Sequence, residues 1–357
     1  MHEPAAQLSN LTYTYDANGH RLSMDGSLAA VTLPANVAGG CSTVYNADNE
    51  QTSFNGASQT FDADGNLTND GTNTYGWNSR NQLATISGGA TASFLYDGVG
   101  RRQTKIINSK TTQFLYVGLN PLQELDGSTP PTVTANLLDG LNIDEYFTRI
   151  DSSGNVSTLI TDALGSTVGL AGPAGTIATS YTYQPFGATT SAGTSDSNSY
   201  QFTGRENDGT GLYYYRARYY SPLLSRLISQ DPIELLRLEH PIVGGTFAIP
   251  TKLRLNNVVG PKSDSRNLFI YSLDNPVNFK DPSGLDVWCH YYAFGGYYLC
   301  FSTDGSAPAG VYQFRCPGLL NGMNCSNGRL TDECHFTDAQ FNNLLFLEKK
   351  CGNYSCS

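Results

Sequence analysis

The sequence predicts a mainly β fold. Charged residues make up only 15% of its 357 residues while glycine (37), tyrosine (22) and phenylalanine (16) are plentiful, a balance that favours short strands joined by tight turns over helical bundles. A unit built from an aromatic residue, an aspartate and a glycine three positions after the aspartate recurs in the N-terminal part, the pattern of a meander of hairpins. With 39% hydrophobic residues the chain can bury a substantial core, as one large domain or two of ordinary size.

The unit occurs as Tyr13-Thr-Tyr-Asp-Ala-Asn-Gly-His-Arg21, Phe61-Asp-Ala-Asp-Gly-Asn-Leu67 and Phe94-Leu-Tyr-Asp-Gly-Val-Gly-Arg-Arg102, with looser copies at Tyr45-Asn-Ala-Asp-Asn49 and Tyr75-Gly-Trp-Asn-Ser-Arg-Asn81. In each, a strand ends on the aromatic, the aspartate accepts hydrogen bonds from the backbone that follows, and the glycine takes a positive φ before the next strand leaves. Tyr146 to Asp151, Thr158 to Leu170 and Ser180 to Gly187 alternate apolar and polar residues around Gly and Pro turns and read as strands. Tyr213 to Tyr220 also alternates: Tyr213, Tyr215, Ala217 and Tyr219 fall on one face, and Tyr214, Arg216, Arg218 and Tyr220 on the other. One two-faced strand, its arginines available to carboxylates, explains that run better than a stacking surface for single-stranded nucleic acid.

This aromatic-Asp-x-x-Gly-Arg pattern resembles the YD repeats of the Rhs family, the polymorphic-toxin relatives of teneurins and of the C component of Tc toxins. Leu164-Gly-Ser-Thr-Val, Tyr183-Gln-Pro-Phe-Gly, Tyr200-Gln-Phe-Thr-Gly-Arg205 and Gly211-Leu-Tyr-Tyr-Tyr-Arg-Ala-Arg-Tyr-Tyr220 resemble the segments around that family's core, and Lys280-Asp-Pro-Ser-Gly-Leu285 resembles its end. The resemblance covers about residues 11–285. It implies YD-repeat hairpins in a curved antiparallel sheet, part of a β-cocoon or shell, with a variable cargo after Leu285. On that reading residues 1–140 are YD-repeat sheet, 141–285 the Rhs-associated core, and 286–357 a small Cys-rich α+β unit.

Two Asp-Pro dipeptides bracket the end of the core, in Ser225-Arg-Leu-Ile-Ser-Gln-Asp-Pro-Ile233 and Lys280-Asp-Pro-Ser-Gly-Leu285. Taken alone, Asp281-Pro282-Ser283-Gly284 is what a type I turn asks for at every position. The resemblance adds a chemistry: self-cleavage by an aspartyl protease, with Asp231 and Asp281 as the catalytic carboxylates, Arg226 in support, and the bond Leu285–Asp286 as the one cut. Such a pair needs unlike protonation states, which two close carboxylates favour because their charges repel. Tethering makes the reaction intramolecular. Asp274, in Leu273-Asp-Asn-Pro, reads as a turn residue. The 33 residues between Ile233 and Asn267 exceed the family's usual short connection, although loop length by itself adds little closure entropy. Asp286 puts a third carboxylate at the cut.

The tail differs in character, since seven of the eight cysteines follow Leu285. Three disulfides and one odd thiol suit a unit this small in an oxidising setting, whereas the lack of any Cys-x-x-Cys pair disfavours zinc. Residues 287–301 read as a hairpin turning at Gly295-Gly296. Thr337 to Gly352 reads as a helix capped by Thr337 and Gln340, with Lys349 and Lys350 at its C-terminal end. His290 and His335 are the tail's imidazoles, and a Cys334–His290 nucleophilic pair is less favoured than structural histidines.

A net charge of −10 argues against a general nucleic-acid or anionic-membrane binder, and no apolar run is long enough for a membrane helix. The first 25 residues hold no signal-peptide core. The sequence asks for no cofactor and no metal. The family implies a secreted or cell-surface bacterial protein, partnered by the remaining shell or by secretion-apparatus proteins, and by a cognate immunity protein for the tail. A non-catalytic adhesive scaffold, or an inactive fragment, is the rival reading.

Overall fold

The repeat unit folds as its residues dictate. Asp62 Oδ1 accepts the N–H groups of Asp64 (3.0 Å) and Asn66 (2.9 Å), and Asp97 Oδ1 those of Val99 (3.0 Å) and Arg101 (2.9 Å). Gly65 and Gly100 follow at φ +73° and +93°, a region where a Cβ is strained. The same device recurs at Asp151 with Gly154 and at Asp162 with Gly165, where no aromatic precedes the aspartate and the sequence pattern is hidden.

The computed structural model describes residues 9–16, 21–29, 41–231, 267–274, 276–277 and 280–284, and the backbone of short strands beyond them. Strands β1 (Thr12–Tyr15) and β2 (Arg21–Asp25) form a hairpin, and β3 (Thr43–Tyr45), β4 (Gln51–Phe54) and β5 (Ala57–Ser58) a three-stranded sheet. A 14-stranded antiparallel sheet follows, each strand paired with its sequence neighbour. Its members are β6 (Thr60–Phe61), β7 (Leu67–Asn69), β8 (Asn73–Trp77), β9 (Leu83–Gly88), β10 (Ala92–Tyr96), β11 (Arg102–Ile107) and β12 (Lys110–Val117). It continues through β13 (Asn120–Leu125), β14 (Val133–Asp139), β15 (Tyr146–Asp151), β16 (Val156–Thr161), β17 (Thr167–Ala171), β18 (Ile177–Tyr183) and β19 (Thr189–Gly193). Residue 140, where the sequence reading changes from repeats to core, falls between β14 and β15, which pair with each other, so the sheet is continuous there. The chain leaves the sheet only after Gly193.

It then lays four short strands on one face of that sheet: β20 (Glu206–Asn207), β21 (Tyr213–Tyr215), β22 (Arg218–Ser221) and β23 (Arg226–Leu227). The single two-faced strand expected for Tyr213 to Tyr220 is instead a hairpin. Tyr213 pairs with Tyr220 and Tyr215 with Arg218, across a turn where Arg216 takes φ +55°. The tyrosines are buried on both sides because this hairpin is sandwiched rather than half-exposed. Tyr213, Tyr215, Tyr220 and Tyr271 join Leu159, Val168 and Leu170 of the sheet in one core, and Tyr214 and Tyr219 join Leu83, Ile86 and Phe94 in another. Burying each such side chain contributes roughly 1.5–3 kcal/mol. Their hydroxyls are satisfied inside: Tyr215 Oη lies 2.7 Å from Thr203 Oγ1 and 2.8 Å from Tyr271 Oη.

Charge locks hairpins to sheet. Arg102 of β11, fully buried, meets Glu206 at 2.7 Å and Asp208 at 2.5 Å, while Lys105 reaches the same two carboxylates at 2.9 and 3.2 Å. The Arg102 guanidinium also stacks 4.1 Å from the Tyr214 ring centroid.

In the tail, backbone strands β24 (Val287–Tyr292) and β25 (Tyr297–Phe301) pair as the expected hairpin. The backbone also forms β26 (Gly310–Tyr312), β27 (Cys325–Ser326), β28 (Arg329–Leu330) and β29 (Cys334–Phe336). The helix expected from Thr337, the disulfides and the histidine side chains lie outside the described residues, as does the 33-residue connection. Among the described residues no helix is long and apolar enough to cross a membrane, and no group of three or more His, Cys, Asp or Glu is placed to hold a metal.

Candidate active site

The two Asp-Pro segments meet. Asp231 follows β23 and Asp281 opens the terminal turn, and both are buried, 4% and 3% exposed. Between them stands a cation: Arg218 Nη2 is 3.0 Å from Asp231 Oδ2 and 3.6 Å from Asp281 Oδ2. Arg218 is itself buried, its Nε donating to the Gly284 carbonyl and its Nη1 to that of Leu268 at 3.0 Å. The Nη2 contacts are ion pairs off the hydrogen-bonding axis, so they fix charge more than direction.

Asp281 also performs the turn role read from its sequence. Its Oδ1 accepts the Gly284 N–H (2.9 Å) and the Ser283 hydroxyl (3.2 Å). Asp281 thus has one oxygen committed to the turn and the other facing Arg218. Tyr271, against the same turn, has its hydroxyl pushed up to about 12, chiefly by burial.

Arg226, expected beside a carboxylate, is placed elsewhere. Its Nη2 donates to the Asn49 carbonyl and to Asn267 Oδ1, both at 2.7 Å, and its guanidinium lies over the rings of Tyr45 and Phe269. The reason is strand geometry: β22 faces the Asp-Pro turns whereas β23 carries Arg226 toward β3 and β4, so the cation between the carboxylates is Arg218. The only sequence signal for Arg218 was its place in an aromatic run, whose arginines were expected to meet carboxylates. Asp274 sits exposed in a one-turn 3-10 segment at φ +54°, in keeping with a turn residue. Leu285 and Asp286 lie outside the described residues.

Fold and site together define a meandering antiparallel sheet carrying a tyrosine-rich hairpin core that grips its own terminal Asp-Pro turn. The family model described as Teneurin YD-shell matches residues 3–237, and the chain belongs to that family, the Rhs/YD-shell proteins. Among curated relatives, it is 28% identical over 324 residues to the tRNA nuclease WapA of Bacillus subtilis, which covers 83% of this chain and 12% of that protein. It is 26% identical over 257 residues to the toxin subunit YenC1 of Yersinia entomophaga, covering 59% of this chain and 22% of that one. The chain therefore spans a small part of the length of the relatives it matches. A solved Photorhabdus luminescens Tc holotoxin pore superposes with a TM-score of 0.50 at 22% identity, over 78% of this chain and 13% of that one, a likeness of fold.

Proposed function

We propose that this chain forms part of the β-shell of an Rhs-type toxin, which encloses residues 286–357 and frees them by aspartyl self-cleavage at Leu285–Asp286. The observation that carries the reading is the meeting of Asp231 and Asp281 on one buried arginine, next to the carbonyl that precedes Leu285. In the reaction, water adds to the Leu285 carbonyl carbon as one carboxylate of the pair takes its proton. The C–N bond to Asp286 then breaks, a proton passes to the leaving amine, and the products are a carboxylate on Leu285 and a free amine on Asp286. The elements of one water are consumed, and no other reactant is required. Similarity to toxin subunits supports a secreted toxin assembled with further shell or toxin-complex proteins, and the reading adds to these a cognate immunity protein for the tail.

A second reading has its own observation. Asp281 Oδ1 is fully used by the turn, so the same contacts serve a non-catalytic scaffold in which the Asp-Pro segments only close the core. Intact-mass measurement of the purified chain beside Asp231→Asn and Asp281→Asn separates the two. Self-cleavage yields fragments ending at Leu285 and starting at Asp286 in the unchanged chain only, whereas a scaffold leaves all three chains whole.

A further inference from the structure

The terminal turn is held by its main chain. Three consecutive carbonyls, those of Pro282, Ser283 and Gly284, are each met by a donor from one of three consecutive residues at the tip of the β21–β22 hairpin. Arg216 Nη1 donates to Pro282 O, the Ala217 N–H to Ser283 O at 3.2 Å, and Arg218 Nε to Gly284 O. Gly284, at φ +71°, lies so flat on this tip that a Cβ there would overlap the Tyr215 carbonyl oxygen. The first donor is anchored from the sheet. Asp144 Oδ1 and Oδ2 accept from Arg216 at 2.7 and 3.0 Å, and Arg205 holds the same carboxylate at 2.6 Å. The Asp144 N–H is in turn fixed by Asn120 Oδ1 at 3.0 Å.

We propose that this hairpin tip sets the register of cleavage by counting backbone carbonyls, with Arg216 and its anchor Asp144 as positioning residues that touch no reacting atom. The proposal rests on the self-cleavage reading and adds to it what is recognised. The three carbonyls carry no side-chain identity, and the contact with the hairpin tip itself requires only the absence of a Cβ at 284, while the Ser283 hydroxyl serves the turn through Asp281. The bond cut is thus defined as the one that follows the first residue after Gly284, whatever that residue is. Arg218 also contacts both carboxylates, so one of the three residues that hold the turn ties it directly to the pair.

The test uses the full chain in four forms: unchanged, with one glycine inserted between Gly284 and Leu285, Arg216→Ala and Arg216→Lys. Cut position is read by intact mass and rate by a time course. The insertion follows the last docked carbonyl, so it leaves the grip untouched. Carbonyl counting moves the cut to the bond between the inserted glycine and Leu285. Arg216→Ala slows cleavage about 10- to 100-fold through misplacement of the turn, and Arg216→Lys, which keeps a donor near Asp144, recovers part of the rate. A cut that stays after Leu285, or loss of cutting in the insertion chain alone, assigns recognition to the Leu285 side chain and overturns the proposal. So does an Arg216→Ala chain that cuts at the unchanged rate. An unchanged chain that never cuts is a separate result, which defeats the self-cleavage reading itself and the register proposal with it.

Discussion

Arg218 concentrates the site's electrostatics in one side chain. With Asp231 and Asp281 at its Nη2 and two carbonyls on its other nitrogens, removing the cation leaves two buried carboxylates uncompensated. Breaking a buried pair in this way costs about 3–5 kcal/mol. Arg218→Met should therefore lower the unfolding free energy measured in urea by that amount and abolish cleavage, whereas Asp231→Asn should abolish cleavage at a smaller loss of stability. Equal stability of Arg218→Met and the unchanged chain would remove Arg218 from the site. The two aspartates were singled out by the resemblance of their Asp-Pro motifs to the family's, since taken alone the spacing of Asp281-Pro282-Ser283-Gly284 reads only as a turn. Arg218 was not, because its alignment with them depends on a hairpin turn at Arg216 that the unbroken alternation of the aromatic run conceals.

At the scale of the element, the β20 hairpin is docked on β11 by the Arg102, Lys105, Glu206 and Asp208 cluster. Burial pushes the Glu206 carboxyl up, but Arg102 and Lys105 outweigh it and hold it at about 2 against an ordinary 4.5. Burial likewise opposes ionisation of Asp144, and Arg205 and Arg216 prevail and lower it. A folded value below the unfolded one gives stability that is complete above the unfolded value and is lost as pH falls toward the folded one. Urea midpoints should therefore fall between pH 4.5 and about 2, and Glu206→Gln should flatten that fall. An unchanged slope in Glu206→Gln would show that the cluster does not couple hairpin to sheet in solution. The hairpin meander itself was readable, since Asp and Gly act through local backbone bonds that sequence spacing records. Cross-sheet ion pairs such as Arg102–Asp208 join residues far apart in the chain and leave no periodicity.

Over the whole molecule, the sheet from Thr60 to Gly193 folds its core onto one face and returns the chain to that core at Asp281, so the tail departs from the carboxylate pair. The tyrosines bind this arrangement together: Tyr220 and Tyr271 have ring centroids 4.3 Å apart, with Tyr215 edge-on to both. Tyr220→Ala should cost about 3–5 kcal/mol and release the terminal turn along with the core, seen as faster amide exchange at Ser283 and Gly284. The measurement to make first is the intact mass of the purified chain incubated in heavy-oxygen water. Two fragments meeting at Leu285 and Asp286, with one heavy oxygen in the carboxylate of the fragment that ends at Leu285, are the expected result. A single uncut chain with its β structure intact would contradict self-cleavage and leave Asp231 and Asp281 as the closing turns of a YD-shell scaffold.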